Sequence, residues 1–355
     1  MFLGHGPEAA AGLGAAAGSR VNGRQYQVHL PNAGGTDRGA SVTGGEFAAI
    51  DRLRRRLPSP PPGELWVGDD AAVVTPQPGP LLLTTDMAVA GVHGDLSVIG
   101  ADDFGWRAMV AAVSDVAAMG GRPGHAVVAV AVPPGADLDA LYDGLAAAAS
   151  EHGSPIVGGD LTAGPTLVVA VAVTGWLRGP EPAVRRGGAG PGDALFVTGP
   201  LGGSAVGLRT LRAQAGAGDG AAAPVAAIDG VGEAHRRPRA RLAEGETARL
   251  AGASAMIDVS DGLAADLGHL ADESGVGVVL DDVPCAPGAT VLDALGGGED
   301  YELVLATPEP GRLLDAFAAA GLRRPVRIGV CVEDPSVRTL GDEAIPAVGW
   351  EHEIS

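Results

Sequence analysis

Acidic side chains recur in this sequence at the predicted ends of strands and helices, and they are its clearest source of chemistry. Six short segments carry them: residues 68–71, 84–86, 114–115, 158–160, 258–262 and 297–300. Mg²⁺ prefers oxygen ligands and bridges carboxylates to phosphates. The set therefore suits several divalent cations and a polyphosphate ligand.

The sequence contains no lysine, because all 24 of its Lys+Arg residues are arginine. This excludes the two familiar phosphate-binding lysines, those of the Walker-A loop and of the protein-kinase β3 strand. A polyphosphate must then be held by metal ions, backbone N–H groups and arginine. A GC-rich coding sequence would explain the exchange of lysine for arginine, but it does not explain where the acidic residues lie.

Two segments of the first half place oxygen ligands beside apolar residues. Thr84, Thr85 and Asp86 follow the apolar run 81–83 and supply two hydroxyls and a carboxylate that can all ligate a metal. The alternative for these residues is a strand end with an Asx-turn. Asp115 lies in an otherwise apolar predicted helix, where a charge is costly unless it is paired or metal-bound.

Two further segments of the first half combine glycine with aspartate. Asp69 and Asp70 follow Gly68, a pattern that more often marks a turn than a site. Gly159 and Asp160 end a short apolar predicted strand, where glycine lets backbone approach a ligand closely.

The acidic segments of the second half flank a predicted helix and a glycine run. Ser260 is a candidate N-cap, and Asp261 suits the positive end of a helix whose free N–H groups can bind an anion. Helix capping would explain Ser260 and Asp261, but it gives no role to Asp258, which lies at a predicted strand end. Glu299 and Asp300 follow three glycines, which again indicate backbone close to a ligand.

Other catalytic classes find little support in the sequence. The eight histidines form no His-Glu-x-x-His cluster, and no Gly-x-Ser-x-Gly elbow lies beside a suitable His and Asp, so zinc catalysis and serine hydrolysis are disfavoured. His93 and Trp350, taken alone, are a loop histidine and a surface tryptophan.

The elements that must position these residues alternate between helix and strand in both halves of the chain. Helices are predicted over 46–57, 101–119, 137–152, 201–213, 239–250, 261–273 and 310–320. Strands are predicted over 71–74, 81–85, 125–132, 155–158, 166–175, 194–198, 253–258, 276–281, 301–305 and 325–330. A Gly- and Pro-rich segment, 177–193, divides the halves, which favours two α+β domains over one doubly wound sheet.

These boundaries predict three parts. Residues 1–43 are expected to be a disordered extension, 44–178 an N-terminal domain, and 190–355 a C-terminal domain. A net charge of −19 disfavours binding to nucleic acid or to an anionic membrane. Two cysteines without metal-ligand spacing, and no apolar run long enough to span a bilayer, favour a cytoplasmic protein.

The order and spacing of the acidic motifs carry a resemblance. From about residue 45 to 352 the chain resembles the thiamine-monophosphate kinases of the AIR-synthase-like superfamily. The motifs are Gly-Asp-Asp-Ala-Ala (68–72), Thr-Thr-Asp-Met (84–87), Gly-Val-His (91–93), Ser-Asp-Val-Ala-Ala-Met-Gly (114–120), Gly-Gly-Asp-Leu-Thr (158–162), Arg-Gly-Gly-Ala-Gly-Pro-Gly-Asp (186–193), Ile-Asp-Val-Ser-Asp-Gly-Leu (257–263) and Gly-Gly-Glu-Asp-Tyr-Glu-Leu (297–303).

The resemblance implies an AIR-synthase-like fold and ATP- and Mg²⁺-dependent phosphorylation of thiamine monophosphate to thiamine diphosphate, in a homodimer. The implied metal ligands are Asp70, Thr84, Thr85, Asp86, Asp115, Asp160, Asp258 and Asp261. The implied ATP contacts are Gly159, Asp160, Arg186 and Ser260. The implied thiamine-phosphate contacts are His93, Glu299 and Trp350. Among the metal ligands, Asp86, Asp115 and Asp261 are expected to be catalytic through their metal ions.

The expected mechanism is direct in-line transfer, since the attacking phosphate oxygen is already anionic and needs no strong base. The sequence departs from the family pattern at Gly94, where an aromatic residue is usual, at 111–113 and at Leu161. Two alternatives stay open at this point: an AIR-synthase-like enzyme with another acceptor, and a catalytically inactive nucleotide- or cation-binding protein.

Overall fold

Two β-sheets, and the helices packed on them, position the acidic segments. A computed structural model describes residues 20–21, 24–25, 46–216 and 231–350. The chain divides into two compact units, Met1–Gly44 and Gly45–Ser355. In the first unit, β1 (Arg20–Val21) pairs with β2 (Arg24–Gln25) as two short antiparallel strands. The rest of the predicted extension lies outside the described residues, as does most of the Ala- and Gly-rich loop predicted at 214–232.

The first sheet of the second unit has four strands. They are β3 (Leu81–Val89), β4 (Arg122–Val132), β5 (Ile156–Ala163) and β6 (Val168–Trp176), in the order β3-β6-β4-β5. Only β4 and β5 are parallel to each other. Three helices accompany this sheet: α1 (Glu46–Arg54), α2 (Ala101–Ala118) and α3 (Leu138–His152).

The two faces of this sheet differ in what covers them. Residues alternate between faces along a strand, and Val128 and Val171 pack with the fully buried Phe104, Met109 and Leu145 of α2 and α3 in one core. The opposite face carries four exposed large hydrophobic side chains: Leu81, Leu83, Met87 and Val127. We call this surface the open face.

The second sheet has seven strands and a core on each side. The strands are β7 (Ala194–Val197), β8 (Ala255–Asp258), β9 (Gly277–Leu280), β10 (Leu303–Thr307), β11 (Val326–Val332), β12 (Arg338–Leu340) and β13 (Glu343–Ala344), in the order β13-β12-β9-β11-β7-β10-β8. The helices are α4 (Gly203–Gly216), α5 (Val231–Arg236), α6 (Leu242–Leu250), α7 (Leu263–Ser274), α8 (Val291–Gly296) and α9 (Pro310–Ala319). Leu267 of α7 belongs to one core, and Phe317 of α9 belongs to the other.

Helix α2 joins the two sheets. Its first turns belong to the core of the four-stranded sheet, whereas Ala117 and Ala118 pack with α6 and α9 against the seven-stranded sheet. Gly245 of α6 permits this approach, because a Cβ there would lie 2.1 Å from the Ala117 carbonyl oxygen. Arg249 of α6 then donates to the carbonyl oxygens of Gly120 at 2.8 Å and Glu181 at 2.6 Å. The segment between the two domains is thereby fastened to α6.

The predicted α+β class is confirmed, and most predicted elements are present. Two strands run further than predicted: β3 continues past Asp86, and β5 continues past Asp160. Backbone pairing of β3 with β6 and of β5 with β4 includes these residues. Asp86 and Asp160, which were predicted to mark strand ends, therefore lie inside strands. The strand predicted at 71–74 is wrong, since only an isolated bridge between Leu65 and Val73 forms there.

Two helices and one strand pair of the second unit were not predicted. Helix α8 follows its N-cap residue Thr290, which forms a capping box with Asp293 of the first turn, and this was a readable signal. Helix α5 and the β12–β13 pair had no comparable signal. Within the described residues, no helix is both long and apolar enough to cross a membrane.

Candidate active site

Carboxylates from both domains meet where β3, α2 and β8 come together. Thr84 and Asp86 lie two residues apart on β3 and so point to the face that α2 covers. The Thr84 hydroxyl donates to Asp115 Oδ2 from α2. Ser114, the neighbouring residue, donates from its hydroxyl to Asp258 Oδ2 at 2.6 Å, and Asp258 is the last residue of β8.

The electrostatics of this group is dominated by burial and by mutual repulsion. The pKa of Asp258 is raised to about 6, mainly by burial and then by the charge of nearby Asp115, while the Ser114 hydrogen bond opposes both. Burial likewise raises the pKa of Asp115, against its bond from Thr84, and the charge of Asp86 adds to the rise. Arg186 lowers the pKa of both Asp115 and Asp258. The group is therefore a site that favours cations.

Two cavities open on either side of these carboxylates. The first, of about 280 Å³, is lined by Thr84, Asp115, Arg186 and Asp258. The second, of about 610 Å³, is lined by Asp86, His93, Phe104, Arg107, Ala111, Arg212, Ser260, Asp261, Glu299 and Trp350, with smaller residues between them. Ala111 and Asp115 lie one helical turn apart on α2, so the same face of α2 borders both cavities.

The second cavity brings together the three residues expected to contact a thiamine phosphate. His93 Nδ1 accepts a hydrogen bond from the Val89 N–H at 3.1 Å, so that nitrogen carries no proton in this arrangement. The backbone N–H of Trp350 donates to the Asp261 carbonyl oxygen at 3.0 Å. This hydrogen bond ties the C-terminal segment to the residues just before α7. Glu299 reaches the cavity from the loop before β10.

The loop that carries Glu299 has an unusual backbone. Glu299 and Tyr301 have φ values of 63° and 50°, a region that side-chain-bearing residues rarely adopt. Hydrogen bonds from their N–H groups to the carbonyl oxygens of Ser260 and Val259, at 2.8 and 3.0 Å, hold this conformation. The 297–301 loop is thus fixed against the 259–260 segment.

The glycines before Glu299 border the second cavity at Gly296 and Gly298, and they also pack closely against the protein's own backbone. A Cβ at Gly298 would lie 2.2 Å from the Ser260 carbonyl oxygen, and one at Gly297 would lie 2.4 Å from that of Asp293. These glycines make room for the protein's own backbone. Asp300 likewise serves the fold, because its carboxylate accepts from the N–H groups of Gly202 and Ser204 at the start of α4.

The predicted N-cap of α7 is also wrong. The helix begins at Leu263 with Gly262 as its N-cap, at φ 112°, so Ser260 does not cap it. Asp266, from the first turn, accepts at Oδ2 from the N–H groups of Asp261 and Gly262 at 3.0 and 3.1 Å. Burial, followed by the charges of Asp258 and Asp261, raises the pKa of Asp266 to about 8. Sequence reasoning missed this residue, although an acidic side chain in a first turn is a known signal.

Four of the predicted site residues lie elsewhere. Asp70 is exposed on the 68–71 turn, where its N–H donates to Asp69 Oδ1. Thr85 lies on the open face, next to Thr84 but pointing away from Asp115. Gly159 and Asp160 lie on β5, and both border a depression beneath α1 with Arg54 and Tyr142.

The separation of Asp160 from the other acids follows from the strand order. Asp86 and Gly159 are linked through partners on the two strands between them, so β3 and β5 form opposite edges of the sheet. Three inter-strand spacings amount to roughly 14 Å. Asp160 is aligned with Met87 rather than Asp86, so it faces the open side. Within one chain, Asp160 cannot share a metal ion with Asp86.

Gly94, the departure from the family pattern, has a local explanation. A Cβ at this buried position would lie 2.7 Å from Cδ2 of the Phe104 ring, which is fully buried in α2 and borders the second cavity. Phe104 therefore supplies an aromatic ring next to His93 and leaves no room for a side chain at position 94.

Two arginines of the second cavity were missed because the sequence reasoning followed carboxylates. Arg107 lies in α2, where a buried charge among apolar residues was the same kind of signal as Asp115. Arg212 lies in α4 and is exposed. Among the described residues, no group of three or more His, Cys, Asp or Glu side chains is arranged to hold a metal ion unaided.

The buried carboxylates predict a pH-dependent stability of the metal-free protein. Because the folded-state pKa of Asp266 is raised to about 8 from 3.8, the folded state holds more protons than the unfolded state between about pH 4 and 8. The stability that Asp266 contributes is present at low pH and is lost as pH rises through this window. Asp266→Asn keeps an acceptor oxygen but removes the titration.

Urea unfolding in EDTA, at several pH values, tests this. The difference in unfolding free energy between wild type and Asp266→Asn should fall by up to about 1.4 kcal/mol per pH unit across the window. The comparison uses the difference between the two proteins because other groups also titrate. Buried His235, whose pKa is lowered to about 3, makes both proteins more stable as pH rises towards about 6.5, and this contribution cancels in the difference. A difference that stays constant from pH 4 to 8 would contradict the burial of a titrating Asp266.

Comparison with family models finds two matching domains in this chain. The family described as AIR synthase related protein matches twice, its N-terminal domain at residues 68–177 and its C-terminal domain at 190–341. A thiamine-monophosphate kinase of Mycobacterium tuberculosis is 36% identical over 327 residues, covering 86% of this chain and 91% of the relative.

Two solved structures are similar along most of their length. The thiamine-monophosphate kinase of Stenotrophomonas maltophilia K279a is 33% identical with a TM-score of 0.70, covering 85% of this chain and 98% of that one. The structure described as AaThiL complexed with AMPPCP and TMP is 30% identical with a TM-score of 0.67, covering 87% and 97%. The predicted resemblance is therefore confirmed: the chain is an enzyme that belongs to the thiamine-monophosphate kinase family of AIR-synthase-related proteins.

Proposed function

We propose that this enzyme transfers the γ-phosphoryl group of ATP to thiamine monophosphate, forming thiamine diphosphate. The observation that carries the proposal is a pair of cavities bordered by neighbouring carboxylates, with Asp115 and Asp258 on the first cavity and Asp86 on the second. Donor and acceptor each need a cavity, and both phosphate chains must reach the same carboxylates. The AaThiL structure, whose ligands are AMPPCP and TMP, supports the same two ligands here.

The two cavities suit different ligands. Arg186 borders the first cavity and offers a guanidinium to a nucleotide phosphate. His93, Glu299 and Trp350 border the second, where an aromatic ring and a carboxylate suit a cationic thiazolium and an aminopyrimidine. We therefore assign ATP to the first cavity and thiamine monophosphate to the second.

Mg²⁺ fits the donor chemistry of this site. It is commonly held by one or two carboxylates together with substrate phosphates and water, so a group of three protein ligands is not required. Asp86, Asp115, Asp258 and Asp261, with the Thr84 hydroxyl, are the residues that would hold it. When bound, the cations would neutralise the charge of the two phosphate chains.

The side chains would then act by positioning the carboxylates that hold the cations. Thr84 and Ser114 orient Asp115 and Asp258 through their hydroxyls, and Asp266 fixes the backbone of Asp261. A terminal oxygen of the thiamine phosphate, already anionic, attacks the γ-phosphorus in line with the departing ADP oxygen. No side chain has to remove a proton, so positioning and charge compensation account for the catalysis.

A second copy of the chain would complete the site. The open face exposes Leu81, Leu83, Met87 and Val127, and the same face carries Thr85 and Asp160 at opposite edges. We propose a homodimer in which two open faces pack together. Pairing about a two-fold axis would bring Asp160 of the partner subunit towards the Thr85–Asp86 edge, which Asp160 of the same chain cannot reach.

A cytoplasmic location completes the proposal. It is supported by the ligand ATP and by two cysteines, Cys285 and Cys331, that are unpaired. The remaining alternative function is an AIR-synthase-like enzyme with a different acceptor, which the following assay distinguishes.

The direct test is to incubate the protein with ATP, Mg²⁺ and thiamine monophosphate and to quantify thiamine diphosphate and ADP by chromatography. We expect equal amounts of both products from the wild type. Asp86→Asn should lower turnover at least about a hundredfold, because it removes a carboxylate between the two phosphate chains. Asp342→Asn, an exposed carboxylate in the β12–β13 turn, is the matched control and should keep full activity. ADP formed without regard to the thiamine substrate would point to another acceptor.

The proposed dimer interface can be tested separately with two valines of similar exposure. Val127 of β4 is 43% exposed on the open face, and Val291 of α8 is 45% exposed elsewhere. A carboxylate placed in a packed apolar interface is strongly unfavourable. Val127→Glu should therefore give a monomer by light scattering and lose activity, whereas Val291→Glu should remain an active dimer. A wild-type monomer at assay concentrations, or a dimeric Val127→Glu, would exclude this interface.

A further inference from the structure

Arg107 is a buried arginine of the second cavity that the proposed chemistry does not use. Its side chain is only 3% exposed, and it projects from α2 towards the C-terminal domain. One end of its guanidinium, Nη2, forms an ion pair with Glu299 and donates to the His93 carbonyl oxygen at 3.2 Å. A single nitrogen thus contacts two of the three segments that carry expected thiamine contacts.

The other end of the guanidinium is fixed as well. Nη1 donates to the His235 carbonyl oxygen and lies 3.4 Å from His235 Nδ1. Ser204 Oγ lies 2.9 Å from the same ring nitrogen, and His235 itself is 2% exposed. Because burial and the charge of Arg107 lower the pKa of His235 to about 3, this histidine is neutral and adds no second charge.

Glu299 is therefore the acid that balances the charge of Arg107. In the part of the chain that the structure describes, each of the two has the other as its one ion-pair partner. Glu299 keeps 31% of its side chain exposed, so the pair leaves part of the carboxylate open to the cavity. The pairing also restrains a residue whose backbone, at φ 63°, is unfavourable without support.

We infer that Arg107 is a positioning residue for the acceptor substrate. It holds the Glu299 carboxylate and the His93 backbone at a fixed separation across the domain boundary, so that both can contact one cationic, amino-bearing aromatic ligand. Arg107 does not itself bind the phosphate chain of ATP, which lies in the first cavity. The inference rests on the proposed assignment of thiamine monophosphate to the second cavity.

Steady-state kinetics of four variants tests the inference: Arg107→Gln, Arg107→Lys, Glu299→Gln and the double variant Arg107→Gln/Glu299→Gln. Arg107→Gln should raise KM for thiamine monophosphate at least about tenfold, since a buried charge pair loses one partner. KM for ATP should stay within about twofold. Lysine keeps the charge but not the fork that reaches two acceptors, so Arg107→Lys should show a smaller rise.

The double variant separates positioning from direct contact. If Arg107 acts through Glu299, KM for thiamine monophosphate in the double variant should equal that of the worse single variant. Additive effects would mean that Arg107 contacts the substrate independently, and they would overturn the inference. The matched control is Arg237→Gln, which breaks the pair of Arg237 with Asp102 and Asp103 at the start of α2 and should leave both KM values unchanged.

Failure of the inference can be told from failure of the proposed function. A wild type that forms no thiamine diphosphate would overturn the function, and the inference with it. An active Arg107→Gln variant with an unchanged KM for thiamine monophosphate, or with KM for ATP raised equally, would overturn the inference alone. Should Arg107→Gln unfold, as judged by its thermal melt, Arg107→Lys alone and combined with Glu299→Gln provides the same comparison with the positive charge at position 107 retained.

Discussion

The full or partial burial of Asp86, Asp115 and Asp258 close to one another is the constraint on which this structure depends. Two domains bring these carboxylates together, and burial, with the charge of a neighbouring carboxylate added to it, raises the pKa of Asp115 and Asp258. Hydroxyl donors from Thr84 and Ser114 hold two of them in place. The packing of α2 against both sheets makes this crowding unavoidable, because Ser114 and Asp115 lie on the helix that joins the domains. Burying such a group of carboxylates without cations is unfavourable. The same group favours the binding of cations, which a kinase needs to neutralise its phosphate groups.

The alternation of residues along β3 divides the expected metal ligands into two sets. Thr84 and Asp86 face α2, while Thr85 faces the open side with Asp160 at the far edge. We therefore propose that a single chain presents two incomplete halves of a site. The homodimer that we propose accounts for this division and for the exposed apolar side chains of the open face in one step.

Sequence reasoning predicted the α+β class and most elements, because apolar periodicity and glycine-rich boundaries are local signals. The family was predicted from the resemblance carried by the acidic motifs. Sequence reasoning also selected His93, Glu299 and Trp350, which the structure places around one cavity. It could not predict that Asp86 and Asp160 lie within strands, since only ladder pairing with β6 and β4 overrides their turn signals. Arg107 and Asp266 carried readable signals, a charge in an apolar helix and an acid in a first turn, but their partners, Glu299 and the Asp261 N–H, are identified only in the folded chain.

Calorimetric binding of a non-hydrolysable ATP analogue to the wild type and to Asp258→Asn, each with Mg²⁺ and with EDTA, tests the central claim most directly. If the buried carboxylates hold cations that bridge to the nucleotide, wild-type affinity should depend on Mg²⁺. Asp258→Asn should then bind at least about tenfold more weakly with Mg²⁺ and should differ little from the wild type in EDTA. Binding that is equally tight in EDTA, or unchanged in Asp258→Asn, would contradict a reaction centre built on these carboxylates.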